Sequence, residues 1–161
     1  MLRVRAAVEA ARECGILVIA RTDARGVLGM DEALDRCRAF RDEGADIIFL
    51  EAPESEAEME AACRAVERPM MANMIRGGKT PVLPAARLYE LGFRLAAYPM
   101  VPFGAAIHAM QQSLAAMRAG TEAMVPEASF EEIKRVVGFP GYYALEKRFA
   151  GPVKEIGRAH V

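Results

Sequence analysis

The sequence has no surplus of either charge. Its 21 Lys and Arg stand against 22 Asp and Glu in 161 residues, a formal net charge of -1. A chain so balanced carries no basic field to hold a phosphate backbone, and nucleic-acid binding is not expected. No apolar run approaches the roughly 20 residues that cross a bilayer, so no membrane span is expected either. The opening Met1-Leu2-Arg3-Val4-Arg5 alternates charged with apolar residues and lacks the apolar core of a signal peptide, which reads as cytoplasmic. Cysteine is sparse. Cys14, Cys37 and Cys63 are widely spaced, match no zinc or redox spacing, and fall in predicted helices as small hydrophobes.

What is present is an ordinary globular composition, 53% apolar and 27% charged, in a length that suits one domain or a piece of a larger one. The pattern alternates helix and strand. An Ala-rich helix over residues 4–14 precedes Ile16-Leu17-Val18-Ile19-Ala20, an apolar run expected to be a strand buried on both faces. A helix over 30–43, with Leu34, Cys37 and Phe40 on one stripe, leads to the strand Asp46-Ile47-Ile48-Phe49-Leu50. Ser55 and Glu58 form a capping box for a helix over 56–66, followed by the strand Pro69-Met70-Met71-Ala72-Asn73-Met74. A helix over 84–91, the strand Phe93-Arg94-Leu95-Ala96-Ala97-Tyr98 and a long helix over 103–119 complete the cycle. Beyond Gly120 come a Pro-containing connector and helices over 129–137 and 142–149, with Pro140-Gly141 as the turn between them. Four strands separated by helices imply a parallel sheet with right-handed crossovers, either half of an eight-stranded barrel or a small open sheet.

The last seven residues, Glu155-Ile156-Gly157-Arg158-Ala159-His160-Val161, resemble a translated sequencing adaptor. The natural frame is therefore expected to have been cut near Lys154, and His160 carries no functional weight.

Ligands of parallel βα sheets bind at the carboxyl ends of the strands. Here those ends carry Arg21-Thr22-Asp23, Glu51, Asn73 and Tyr98. The set suits a small, oxygen-rich anion: Arg21 can grip a carboxylate through two hydrogen bonds and Asn73 can donate to another oxygen. Glu51 would repel such an anion unless a cation lay between them, which points to a divalent metal. The plainer alternative is that these residues cap loops or pair with one another, Arg21 with Asp23 for instance. Gly78-Lys79-Thr80 mimics the end of a phosphate-binding P-loop, but Asn73 stands where that loop needs its first Gly, and Pro81 interrupts the helix start. A Gly-rich loop closing over a small ligand is the better reading. His108 and Met100, Met110, Met117 and Met124 read as packing residues.

Several segments together resemble the isocitrate lyase/phosphoenolpyruvate mutase superfamily. They are Val18-Ile19-Ala20-Arg21-Thr22-Asp23-Ala24, Gly44-Ala45-Asp46 leading to Leu50-Glu51-Ala52, Ala72-Asn73-Met74 with Gly78-Lys79-Thr80-Pro81, and Tyr98-Pro99. The similarity extends to about Phe149 and is nearest to methylisocitrate lyases, dimethylmalate lyases, oxaloacetate decarboxylases and carboxyphosphonoenolpyruvate mutase-like proteins. It implies a (β/α)8 barrel, magnesium, and cleavage beside a 2-oxo or 2-hydroxy carboxylate through an enolate-like pyruvate species. By position it assigns substrate contacts to Arg21, Glu51, Asn73 and Thr80, with Glu51 also near the metal. The family's metal-binding aspartates and its Lys-Cys-Gly-His type loop are absent from this chain, and Gly104 follows Phe103 where methylisocitrate lyases carry an arginine.

The resulting expectation is an α/β chain forming the C-terminal half of a TIM-type (β/α)8 barrel, about four βα units over residues 1–120. A connector and C-terminal helices over 121–154 and the foreign tail 155–161 follow. It reads as a fragment, inactive alone, of a magnesium-dependent carbon–carbon lyase or decarboxylase for a small dicarboxylate. The intact enzyme is expected to be a homo-oligomer. The alternatives are a phosphonomutase of the same superfamily and a non-catalytic half-barrel that assembles with itself.

Overall fold

The computed structural model describes residues 1–149, so the tail from Glu155 to Val161 lies outside the described residues. Two compact units divide the chain, one from Met1 to Ala109 and one from Met110 onward.

The first unit is built on a four-stranded parallel sheet in the order β1-β2-β3-β4, formed by Ile19–Thr22, Ile47–Leu50, Met70–Asn73 and Phe93–Ala97. Each strand is reached through a helix, which is the βαβ arrangement that the alternating pattern predicts. Helix α1, Leu2–Cys14, ends at Gly15, whose φ of 67° and ψ of 30° place it in the left-handed region that a residue without Cβ enters freely. A single turn, α2 (Arg25–Leu28), follows β1 and was not apparent in the sequence pattern. Helix α3, Met30–Asp42, buries Ala33, Cys37 and Phe40 at spacings of four and three. Helix α4, Glu56–Val66, does the same with Met59, Ala62 and Val66, and α5, Ala85–Leu91, with Leu88 and Leu91.

Alternation along the strands sorts the core from the site. Ala20, Thr22, Ile48, Leu50, Met70 and Ala72 are all buried and, the threonine apart, join the apolar cluster with α3, α4 and α5. Ile48, Met59 and Met70 have no exposed surface, and burying each contributes about 2–3 kcal/mol. Gly92 closes α5 at φ 111°, and a Cβ placed there would sit 2.9 Å from Cys63 Cβ, so this close approach of α5 to α4 requires glycine.

Strand β1 departs from expectation. Ile16 and Leu17 are 63% and 71% exposed, and the strand starts only at Ile19, which is itself exposed. The physical reason is the ladder: Val18 accepts from the amides of Asp46 and Ile47, while its own amide donates to the Asp46 carboxylate at 2.8 Å. Pairing begins there, and among the described residues the apolar residues upstream have no neighbour strand. As an edge strand, β1 alternates exposed and buried residues and is not buried on both faces.

Helix α6, Met100–Ala119, begins three residues earlier than the pattern indicated and has no buried side chain. His108 and the methionines at 100, 110, 117 and 124 are exposed, contrary to their reading as packing residues. In the second unit, a short 3-10 turn (Glu122–Met124) precedes α7, Phe130–Val136, capped by Ser129 Oγ, which accepts from Glu132 N. Helix α8, Phe139–Phe149, follows. The turn between these helices is made by Gly138 at φ 88°. Pro140 sits inside the first turn of α8, where its missing N–H has no helical partner to lose. Among the described residues no helix is long and apolar enough to cross a membrane.

Candidate functional site at the carboxyl ends of the strands

The residues out of phase with the core carry the polar chemistry. Arg21 pairs with Phe49 in the β1–β2 register, Phe49 with Met71 across β2–β3, and Asn73 with Ala97 across β3–β4. Glu51 extends β2 by one step, its amide donating to Thr22 O at 3.0 Å. Arg21, Phe49, Glu51, Met71 and Asn73 therefore share the sheet face turned away from α3, α4 and α5, with the three polar residues at its C-terminal end. Ala52 next leaves the strand at φ 58°, a left-handed conformation unusual for a residue with a Cβ. Such strain costs of order 1 kcal/mol and persists where surrounding structure enforces it.

The three polar side chains converge. Arg21 Nη2 lies 3.5 Å from Glu51 Oε2, and Asn73 Nδ2 donates to the same oxygen at 3.4 Å. Arg21 is held further by Asp23, which accepts from Nε at 3.0 Å and from Nη2 at 2.7 Å, and its guanidinium stacks 4.9 Å from the centre of the Phe49 ring. The hydrogen bond from Arg21 holds the Asp23 carboxyl below its usual range. Asp23 and then Glu51 hold the guanidinium firmly charged. Asp23 occupies one edge of the planar fork. The other edge, Nη1 with Nη2, is the one a ligand carboxylate can take.

Thr80 does not join the group. It is half-buried in the loop after β3, and among the described residues its hydroxyl makes no hydrogen bond to Arg21, Glu51 or Asn73. Tyr98 follows the last residue of β4, one position out of phase with Ala97, the partner of Asn73.

Two features at this rim were not singled out from the sequence. Phe49 reads as core because it is apolar, yet it shares the Arg21 row and supports the guanidinium; counting back by two from Glu51 would have found it. The second is an ion network. Arg25 donates to both oxygens of Glu58, at 2.9 and 2.8 Å, and to Glu54 at 3.1 Å, while Lys79 meets Glu54 at 3.3 Å. It links the segments after β1, β2 and β3. The capping box at Ser55 is half made: Ser55 Oγ accepts from Glu58 N, but the Glu58 carboxylate accepts from Arg25 and from Glu54 N instead of reaching back to the cap.

The same residues set limits on metal and nucleophile chemistry. Among the described residues no three His, Cys, Asp or Glu side chains converge on one point. Glu51 is the one carboxylate aimed into the trio, and its Oε2 already faces a guanidinium and an amide N–H. These residues alone therefore do not make a divalent-cation site. Burial pushes the Cys37 and Cys63 thiols up to about 12, so neither supplies a thiolate.

The family model described as phosphoenolpyruvate phosphomutase matches residues 1–118. The chain belongs to this family. It is 36% identical over 151 residues to 2,3-dimethylmalate lyase of Eubacterium barkeri, covering 92% of this chain and 52% of that protein. A crystal structure of 2,3-dimethylmalate lyase, a phosphoenolpyruvate mutase/isocitrate lyase superfamily member, superposes with a TM-score of 0.85 at 33% identity, covering 98% of this chain and 54% of the other. Oxaloacetate acetylhydrolase in complex with 3,3-difluorooxalacetate superposes at 0.83 with 28% identity, covering 94% and 52%. The chain thus spans about half the length of the superfamily members it matches. Their shared fold agrees with the parallel α/β sheet described above, and the enzymes named are lyases or related enzymes.

Proposed function

We propose that the whole protein is a carbon–carbon lyase or decarboxylase for a small 2-oxo or 2-hydroxy dicarboxylate, and that this chain supplies the C-terminal half of its (β/α)8 barrel. The observation that carries the reading is the meeting of Arg21, Glu51 and Asn73 at one end of the sheet. As the bond beside the oxidised carbon breaks, negative charge gathers on an enolate-like pyruvate species. Arg21 and Asn73 face that charge with N–H donors already oriented by Asp23, Phe49 and Glu51, so little reorganisation is needed when it develops. Thr80, on the Gly-rich loop, belongs to the same reading as a contact made when the loop closes over substrate.

Magnesium is part of this proposal for the whole enzyme, where it would stabilise developing oxyanion charge. Glu51 is the one carboxylate that the trio offers it, and the remaining oxygen ligands would come from elsewhere in the enzyme. A cytoplasmic homo-oligomer is the form proposed for the intact protein.

The test completes the chain with the N-terminal half of the Eubacterium barkeri dimethylmalate lyase and follows, with magnesium, pyruvate release and the conversion of phosphonopyruvate to phosphoenolpyruvate. Turnover of 2,3-dimethylmalate or oxaloacetate is the expected result. Turnover of phosphonopyruvate in place of both would move the protein to the phosphoryl-transfer branch, and no activity on any of the three would count against the reading.

A second reading rests on the sheet's edges. Among the described residues, strands β1 and β4 each lack one neighbour, and Ile16, Leu17, Ile19 and Leu95 are exposed on them or just before them. Open parallel edges with apolar residues invite pairing between copies, giving a self-assembling half-barrel without catalysis. Light scattering separates the two: a monodisperse monomer speaks against self-assembly.

A further inference from the structure

The loop after β3 holds two cations in different circumstances. Lys79 is paired with Glu54, whereas Arg76 has no ion pair or hydrogen bond among the described residues. Arg76 is exposed, and a turn fixes the backbone that carries it. Gly78 N donates to Ile75 O at 3.1 Å, and Gly77 between them has φ 76°, so residues 75–78 form a turn whose third position needs a glycine. Arg76 occupies the second position and lines a cavity of about 470 Å3 with Met74, Met100, Val101, Gly104 and Ala105. The remainder of that wall is apolar or bare. At Gly104 a Cβ would meet nothing within 4 Å, so the cavity is open on that side.

An apolar recess with one unneutralised guanidinium suits an anion that carries alkyl surface, because the hydrocarbon part leaves water while the charge meets a fork of donors. The recess lies at the carboxyl end of β3, the strand that ends in Asn73. We propose that Arg76 is a specificity-determining residue, taking the second carboxylate of a small alkyl-substituted dicarboxylate in the recess between the turn after β3 and the start of α6. The inference rests on the carboxylate-site reading above and adds to it the residue that separates dicarboxylates from monocarboxylates. Arg76 does not act on the reacting atoms; it selects the substrate.

The test titrates the isotope-labelled full chain with succinate and with butyrate, which differ in one carboxylate, and follows the amide resonances of Arg21, Asn73 and Gly77. Succinate is expected to shift all three and to half-saturate at a concentration at least about fivefold lower than butyrate. Arg76→Ala should abolish that preference while Arg21 and Asn73 still respond, and Arg76→Lys should retain part of it. Gly104→Leu, which fills the recess without touching the cation, should weaken both acids. If the preference for succinate survives Arg76→Ala, the inference fails and the carboxylate site stands. If neither acid moves Arg21 or Asn73 in the wild-type chain, the carboxylate site itself fails and Arg76 loses its role with it.

Discussion

The Glu51 carboxylate faces the Arg21 guanidinium at 3.5 Å, across the ends of two adjacent parallel strands, and shares the same oxygen with Asn73. The carboxylate orients both donors but also repels an anionic ligand. These effects oppose each other and can be separated. Without added magnesium, Glu51→Gln in the completed enzyme should bind oxalate about threefold or more tightly, because a like charge has gone. It should also turn over at least ~100-fold more slowly, because the donors are less well fixed. Inhibition constants and kcat, measured together, check this. Weaker oxalate binding with unchanged kcat would show that Glu51 faces no substrate anion.

Much of this geometry was legible beforehand. Arg21, Glu51 and Asn73 stand at the ends of three apolar runs, and a parallel sheet brings such ends together whatever its detailed curvature. Strand starts were less legible. Ile16 and Leu17 are as apolar as any strand residue, yet pairing begins at Val18 because Asp46 and Ile47 lie opposite it, which is information held by another segment. Thr80 illustrates a different limit: motif position placed it with the trio, but a loop's conformation is not set by spacing. The exposure of α6 was illegible for a similar reason, since an apolar helix announces a need for burial without naming what buries it.

Arg25 and Glu58 give a stability prediction with a definite sign. The hydrogen bonds from Arg25 hold the Glu58 carboxyl below its ordinary value. A depressed folded-state value means that the pair stabilises the fold above the unfolded carboxyl's pKa of about 4.3 and loses that contribution as pH falls through this region. Glu58→Gln should therefore lower Tm by a few degrees at pH 7, and the gap from wild type should close below about pH 4. A gap independent of pH would assign the effect to packing.

The thiols should divide sharply. Cys14 is exposed, whereas burial raises Cys37 and Cys63 to about 12. Native protein at pH 8 should present one thiol to a disulfide reagent and three after denaturation. Rapid reaction of a second thiol would show that α3 or α4 opens readily.

Gly92 should not tolerate a side chain. Its φ of 111° and the 2.9 Å approach to Cys63 Cβ predict that Gly92→Ala costs about 2–3 kcal/mol by urea unfolding. Cys63→Ala should not rescue it, since the offending Cβ remains, and Cys63→Gly should recover only part. A loss below about 0.5 kcal/mol would mean that α5 does not sit this close to α4.

The most direct measurement is kcat/KM of Arg21→Ala in the completed enzyme, with Arg21→Lys beside it. Losing the oriented guanidinium should cost about 3–4 kcal/mol of transition-state stabilisation, a drop of about 100- to 1,000-fold, and lysine should restore little because it lacks the planar fork. A rate within about twofold of wild type would contradict the account, leaving Arg21 as no more than the salt-bridge partner of Asp23.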